Sequence, residues 1–389
     1  MTKPPRILIP VPNAGARLTD ADIAWLVWIA IIGILEGVSL LKEMVVPRYF
    51  FFDASTIDTF IAAHSGFVPA DSYSSTAAVF GAMGFRRYSP MLPVLSSLVV
   101  IPSLLWGILS TGRKAIRLRE LAVFGFFSSM AVVYMTTLSK DLIVLLLVLF
   151  FMLRPNRCRW PHMILWIGLA FLYGYYFRSY WFLIVPMFVS LRTFFLRVRR
   201  PILIAPAILF VLFIVAAALH MKFGLNADSF RTVVNDARLD SGETNARTMI
   251  TPFIPGGGFV TGYANVCLTL AALIVPAPLL VIVSPYYFAI FLFVVGLQVG
   301  FWLSFRNAVR NGTDVFAIEC GCLVASFLAI QSMFEPDYGS YMRHLSPFYP
   351  VMFCVWLREP ARVAEVIWPS PGLPHINARS SAMQGAVAR

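Results

Sequence analysis

Six charged side chains stand where apolar sequence makes charge costly to hold: Lys140, Asp141, Arg178, Asp337, Arg343 and His344. Ionisable residues in such places usually serve a function. The densest run is Phe334-Glu-Pro-Asp-Tyr-Gly-Ser-Tyr-Met-Arg-His344, which sets Glu335, Asp337, Arg343 and His344 between two apolar segments. A guanidinium is a planar fork matched to phosphate or pyrophosphate, and an ammonium adds a compact second charge. Lys140, Arg178 and Arg343 are therefore candidates for one shared anion site. Asp141, Asp337 and His344 are candidates for orienting or deprotonating a hydroxyl. Plainer readings stand beside these. Any one of the three cations, taken alone, is better explained by snorkelling from a helix end. Asp141 reads as a counter-ion for Lys140, and His344 as a hydrogen-bonding group at a helix end.

The elements that must position these groups are membrane helices. The 389 residues are 59% hydrophobic and only 13% charged, with a mean hydropathy of +0.77; soluble chains are about a quarter charged. The expected fold is an all-α polytopic integral membrane protein of about ten transmembrane helices. Candidate spans are 23–41, 91–110, 121–138, 142–153, 163–177, 181–191, 202–220, 285–304, 315–333 and 346–357. No period-2 alternation suggests an outer-membrane barrel. The apolar stretch 263–283 is interrupted by Pro276-Ala-Pro278 and followed by Pro285, and reads as an in-plane or re-entrant helix. The organisation expected is an N-terminal tail 1–22, a membrane domain 23–357 with large loops 42–90 and 221–262, and a C-terminal tail 358–389. The polar, Pro-rich opening followed by a spanning helix predicts no cleavable signal peptide.

Charge sets the orientation. With both tails in the cytoplasm, twenty of the 31 Lys and Arg fall on the cytoplasmic loops with six acids, while the other face holds eleven basic and eleven acidic residues. Glu36 and Glu319 lie inside spans. The whole positive excess then sits on one side, as the positive-inside rule requires. Short juxtamembrane anchors of this kind also argue against nucleic-acid binding as the meaning of a pI near 9.7. The segment Glu335–His344 falls on the outer face, with Lys140-Asp141 and Arg178.

The outer loops offer further candidates. Arg231, Arg238 and Arg247 lie in 221–262 with Asp228, Asp236, Asp240 and Glu243 close by. Local salt bridges are the plain reading, and Arg231 and Arg238 share one face of a short helix over 228–239. Tyr338 and Tyr341, among several aromatics near this boundary, suit either an interfacial belt or stacking on sugar rings. Asp53 reads as the cap of a helix over 54–64, with Ser55 helping. Gly256-Gly-Gly258 lacks the Lys-Ser/Thr ending of a phosphate loop and reads as a hinge. Cys320-Gly-Cys322 reads as two small buried hydrophobes rather than a metal or redox pair. The five histidines have no metal-ligand spacing, so no metal and no cofactor is expected.

With these residues in view, the chain resembles the Wzy-like bacterial polysaccharide polymerases over about 25–357. The resemblance rests on an aromatic-Asp segment after the first helix, Ser139-Lys140-Asp141, Arg178-Ser179-Tyr180-Trp181, an Arg-bearing outer loop, the Pro-Ala-Pro stretch, and Asp337-Tyr-Gly-Ser-Tyr-Met-Arg-His344. It implies a GT-C-like glycosyltransferase in the bacterial inner membrane that joins undecaprenyl-pyrophosphate-linked oligosaccharides on the periplasmic face. Arg178, Arg343, Lys140 and Arg247 would then hold the pyrophosphate, and Asp141, His344 or Asp337 would handle the acceptor hydroxyl. The partners implied are the lipid-linked oligosaccharide and membrane lipid, with a chain-length regulator and export machinery as candidates. A glycan ligase or other polyprenyl-dependent transferase needs the same anion site. A flippase or transporter fits less well, because charges within spans are few.

Overall fold

The computed structural model describes residues 6–8, 20–111, 115–153, 159–240 and 248–358. Arg247 and nearly all of both tails lie outside the described residues. Fifteen α-helices carry the described chain: α1 (Asp20–Val45), α2 (Phe52–Ala62), α3 (Ser72–Ala82), α4 (Met91–Leu109), α5 (Leu118–Met135), α6 (Lys140–Met152), α7 (Arg159–Tyr176), α8 (Trp181–Arg197), α9 (Ile204–Phe223), α10 (Ser229–Asp240), α11 (Phe259–Ile274), α12 (Pro285–Asn311), α13 (Val315–Phe334), α14 (Tyr338–Leu345) and α15 (Tyr349–Trp356). A two-stranded antiparallel ladder joins β1 (Arg6–Leu8) to β2 (Ala115–Arg117), with Arg6 opposite Arg117.

Local sequence explains the helix ends. Glu120 accepts from the Arg117 N–H at 2.9 Å and caps α5. Asp314 accepts from the Ala317 N–H at 3.0 Å and starts α13. Gly312, at φ +64°, ends α12 in the left-handed conformation that only glycine adopts cheaply.

Among the described residues, six helices are long and apolar enough to cross a membrane: Trp25–Val45, Met91–Leu109, Leu118–Met135, Pro201–Phe223, Pro285–Asn311 and Val315–Phe334. The finer expectation of about ten spans meets shorter helices. α6 has 13 residues and α15 has 8, or about 20 and 12 Å at 1.5 Å per residue. The interrupted stretch after the 221–262 loop is α11, 16 residues long, followed by a 3₁₀ turn at Ala277–Leu280. Residues on both sides of α11 (Thr248 before it, Pro276 and Leu279 after it) line one cavity.

α13 is the central helix, with 89% of its most apolar 18-residue window buried. It packs against α8, α9, α11, α12 and α15. Cys320 and Cys322 are buried within it. Between lipid-solvated helices, close packing rather than water exclusion holds the bundle. α4 and α15 come close enough that a Cβ at Gly107 would stand 2.5 Å from the Pro350 carbonyl oxygen. A second, smaller core joins α2 and α3 to the mouth of the bundle through Phe51, Ile57, Phe80, Leu92, Val133 and Leu138.

Candidate functional site

Four separate parts of the chain converge at one end of the bundle. Ser139 stops an extended segment and accepts from the Asp141 N–H at 3.1 Å, so α6 begins at Lys140. An acid in the first turn suits the positive end of a helix. The turn between α7 and α8 is closed by the Trp181 N–H donating to the Arg178 carbonyl at 3.0 Å. The wholly buried Trp181 ring anchors that turn against Tyr173 and Phe348. Asp337 accepts from the Ser340 N–H at 2.8 Å and starts α14, which carries Arg343 and His344. The α2–α3 hairpin supplies Asp53 and Tyr73.

These groups form one ion-pair network. Arg178 lies 3.0 Å from Asp141 and donates to the Tyr180 hydroxyl at 2.6 Å. Arg343 lies 3.1 Å from Asp53 and 3.6 Å from Asp141. Lys140 lies 3.4 Å from Asp53, with its ammonium 3.6 Å from the centre of the Tyr73 ring. The Tyr73 hydroxyl donates to Asp53 at 2.9 Å. His344 Nδ1 is 2.9 Å from Glu335, and His344 Nε2 is 3.3 Å from Arg343. Arg178, Lys140, Asp141 and Glu335 are buried.

Electrostatics follow from that burial. Burial alone would raise the Asp53 carboxyl, but Arg343 and Lys140, with the Tyr73 hydrogen bond, outweigh it and hold it at about 2. Burial lowers the Lys140 ammonium to about 8 despite Asp53. Burial, reinforced by Asp337, pushes Glu335 well above the usual carboxylate range. Burial, then Arg178, Arg343 and Lys140, pushes His344 well below its usual value. The upward shift of Glu335 and the downward shift of His344 each favour the neutral form, which tips the balance between Lys140, Arg178 and Arg343 and the acids around them towards positive charge.

Beside the network lies a cavity of about 510 Å³, within the usual range for small-molecule sites, about 300–1,000 Å³. Its polar lining includes Asp53, Arg238, Asp337, Ser340 and Arg343; its apolar and aromatic lining includes Met130, Tyr134, Tyr286, Tyr287, Ile290 and Val294. Of the three cations singled out by sequence, Arg343 lines the cavity, while Lys140 and Arg178 stand behind it on the acids that hold it.

Several sequence expectations change here. Asp141 is not the counter-ion of Lys140: neighbours in a helix point in different directions, so Asp141 takes Arg178 and Arg343 while Lys140 takes Asp53. Asp53 does not cap α2, whose first turn has no side-chain cap; its carboxylate is drawn to the stronger cations. Arg238 pairs with Asp337 at 2.6 Å, 99 residues away. Arg231 turns inward, fully buried, and donates to Thr269 and to the Ser332 carbonyl. Asp337 is committed to a helix cap and to Arg238, though it still lines the cavity. Tyr338 and Tyr341 also line it, but Tyr341 is 1% exposed and its hydroxyl accepts from Gln298 at 2.9 Å, so its ring has little face to offer a sugar. Arg247 lies outside the described residues. The residues that sequence reasoning missed for this site are Asp53, Tyr73, Arg238, Tyr286 and Tyr287. Asp53 lies in an aromatic-acid run that was visible; the others became apparent only through contacts distant in sequence.

Among the described residues no group of three or more His, Cys, Asp or Glu could hold a metal ion. No family model matches the chain, and neither the curated proteins nor the solved structures yield a match.

Proposed function

We propose that this membrane protein is a glycosyltransferase that uses a polyprenyl-pyrophosphate-linked oligosaccharide as donor and polymerises repeat units. One observation carries the reading: Arg343, backed by Lys140 and Arg178 through Asp53 and Asp141, presents a cation to a cavity whose lining is otherwise rich in aromatic and apolar side chains. A cation fixed before the reaction stabilises charge that builds on a departing pyrophosphate without costly reorganisation. Aromatic faces suit the C–H patches of sugar rings, and an apolar wall suits the lipid end of such a donor.

In this reading the acceptor hydroxyl oxygen forms a bond to the donor's anomeric carbon. The bond from that carbon to the pyrophosphate oxygen breaks, and the lipid pyrophosphate leaves with the electron pair beside Arg343. The hydroxyl proton passes to a cavity carboxylate, of which Asp337 and Asp53 are at hand. Arg238 steadies Asp337 and the saccharide. The charged end of the bundle is then the periplasmic face of a bacterial inner membrane. The short helices α6, α7, α8 and the 346–356 stretch complete about ten crossings, and both termini are cytoplasmic.

The test is reconstitution in liposomes with a synthetic lipid-pyrophosphate repeat unit and no nucleotide sugar. A ladder of polymer on a gel is the expected result. Transfer of one preformed glycan to a different acceptor, without a ladder, would replace the polymerase with a ligase. No transfer from any such donor, by protein that remains folded, would remove the reading.

A further inference from the structure

Glu335, buried, and His344, half-buried, are titratable groups of the network that do not line the cavity. Their contacts determine what the imidazole does. An arginine guanidinium only donates hydrogen bonds, so His344 Nε2, 3.3 Å from Arg343 Nη2, must accept. A neutral ring that accepts at Nε2 carries its proton on Nδ1. That Nδ1–H donates to Glu335 Oε2 at 2.9 Å, whichever protonation state the acid has. Glu335 is 1% exposed and ends α13, so it gives the ring a fixed support.

We propose that Glu335 and His344 are positioning residues: Glu335 fixes the Nδ1–H form of His344, and the ring's Nε2 clamps Arg343 in the direction of Asp53, Asp141 and the cavity. His344 then does not take the proton of the reacting hydroxyl. Its basic lone pair is occupied by Arg343. A second ring proton would also face Arg343 on α14, Arg178 in the turn before α8 and Lys140 on α6, with only Glu335, Asp141 and Asp53 to offset them. The catalytic part of this inference rests on the glycosyl-transfer reading above; the tautomer does not.

The experiment combines two readouts. In reconstituted protein with 15N-labelled histidine, the His344 ring is assigned by difference with H344Q. The expected signals are a protonated Nδ1 and an unprotonated Nε2, unchanged between about pH 5 and 8, where an ordinary histidine titrates. A ring protonated at Nε2, or one that titrates in that interval, overturns the clamp whether or not the protein transfers sugars. In the polymer assay, H344Q should lose roughly tenfold or less, because its amide oxygen still accepts from Arg343, with the shape of the pH profile kept. H344L and E335L should fall towards the level of R343A, and E335Q should restore most of what E335L loses. General-base loss is about 100- to 10,000-fold; a fall of that size in H344Q, with the acid limb of the profile abolished, would make His344 a proton acceptor and overturn the proposal.

Discussion

α13 carries an acid near each end, and the two have opposite fates. Near its start, the fully buried Glu319 meets Arg192 at 2.7 Å, and the Arg192 guanidinium lies 5.3 Å from the centre of the Trp160 ring. At its far end, Glu335 belongs to a network that joins Lys140, Arg178 and Arg343 to Asp53 and Asp141, and one arginine of it reaches a cavity. The first is an ion pair between two packed helices, lining no part of the described cavity. The second draws on four parts of the chain and brings one of its cations to the cavity lining. A buried pair is chiefly architecture, often replaceable by apolar side chains of similar volume. A cation at a cavity lining is what an anionic ligand needs.

Substitutions can break or sharpen that contrast. The largest effect expected is on stability at the Arg192–Glu319 pair. R192A removes a cation from the buried Glu319 and should cost about 3–5 kcal/mol, read as a lower unfolding midpoint in detergent. The double substitution R192L with E319L should recover most of that loss and leave activity per folded molecule intact. An apolar replacement within the network should not be tolerated in the same way.

Asp53 gives the next effect. Its carboxyl is held at about 2, below its ordinary 3.8. A depressed acid stabilises the fold above its unfolded value and loses that contribution as pH falls through its folded value. Stability should therefore decline between about pH 4 and pH 2, and D53N should cost about 2 kcal/mol at neutral pH. Unfolding midpoints measured across that acid range in both proteins would check the sign.

Lys140 sharpens the contrast through pH. Its ammonium is lowered to about 8, so above that pH Asp53 loses one of its two cations. Activity should fall on the basic side with a midpoint near pH 8, and K140R should carry the limb out of range, because an arginine stays protonated. A basic limb unmoved in K140R would assign it elsewhere. The smallest effect is at Arg238, which is about a third exposed and paired with Asp337. R238A should raise the KM for the donor several-fold and change kcat less, as loss of uniform binding does.

The sequence made some of this legible and hid the rest for physical reasons. Membrane class, most helices and the meeting of Lys140, Asp141, Arg178, Arg343 and His344 follow from apolar run length and from charges placed at helix ends. Pairings within the cluster were not legible. Sequence adjacency suggested Lys140 with Asp141, but a helix sends neighbouring side chains apart. Asp53 looked like a cap because a helix does begin there, and only the folding of α2 and α3 over the mouth turns it to Lys140 and Arg343. Arg238 had nearby acids in sequence, yet it pairs with Asp337 at the start of α14. The length of α6 defeats an exact span count, since a 13-residue helix satisfies apolar patterning without matching the membrane's thickness.

The central claim is that Arg343 is the cation that meets the ligand. Its most direct test sets R343A beside R192A in liposomes containing a synthetic lipid-pyrophosphate repeat unit, with polymer measured per folded molecule. R343A should lose at least about 100-fold, the cost typical of removing one pre-set charge-stabilising donor, and should leave single repeat units unconverted, while R192A stays near wild type. Polymer of normal length and yield from R343A would contradict the account.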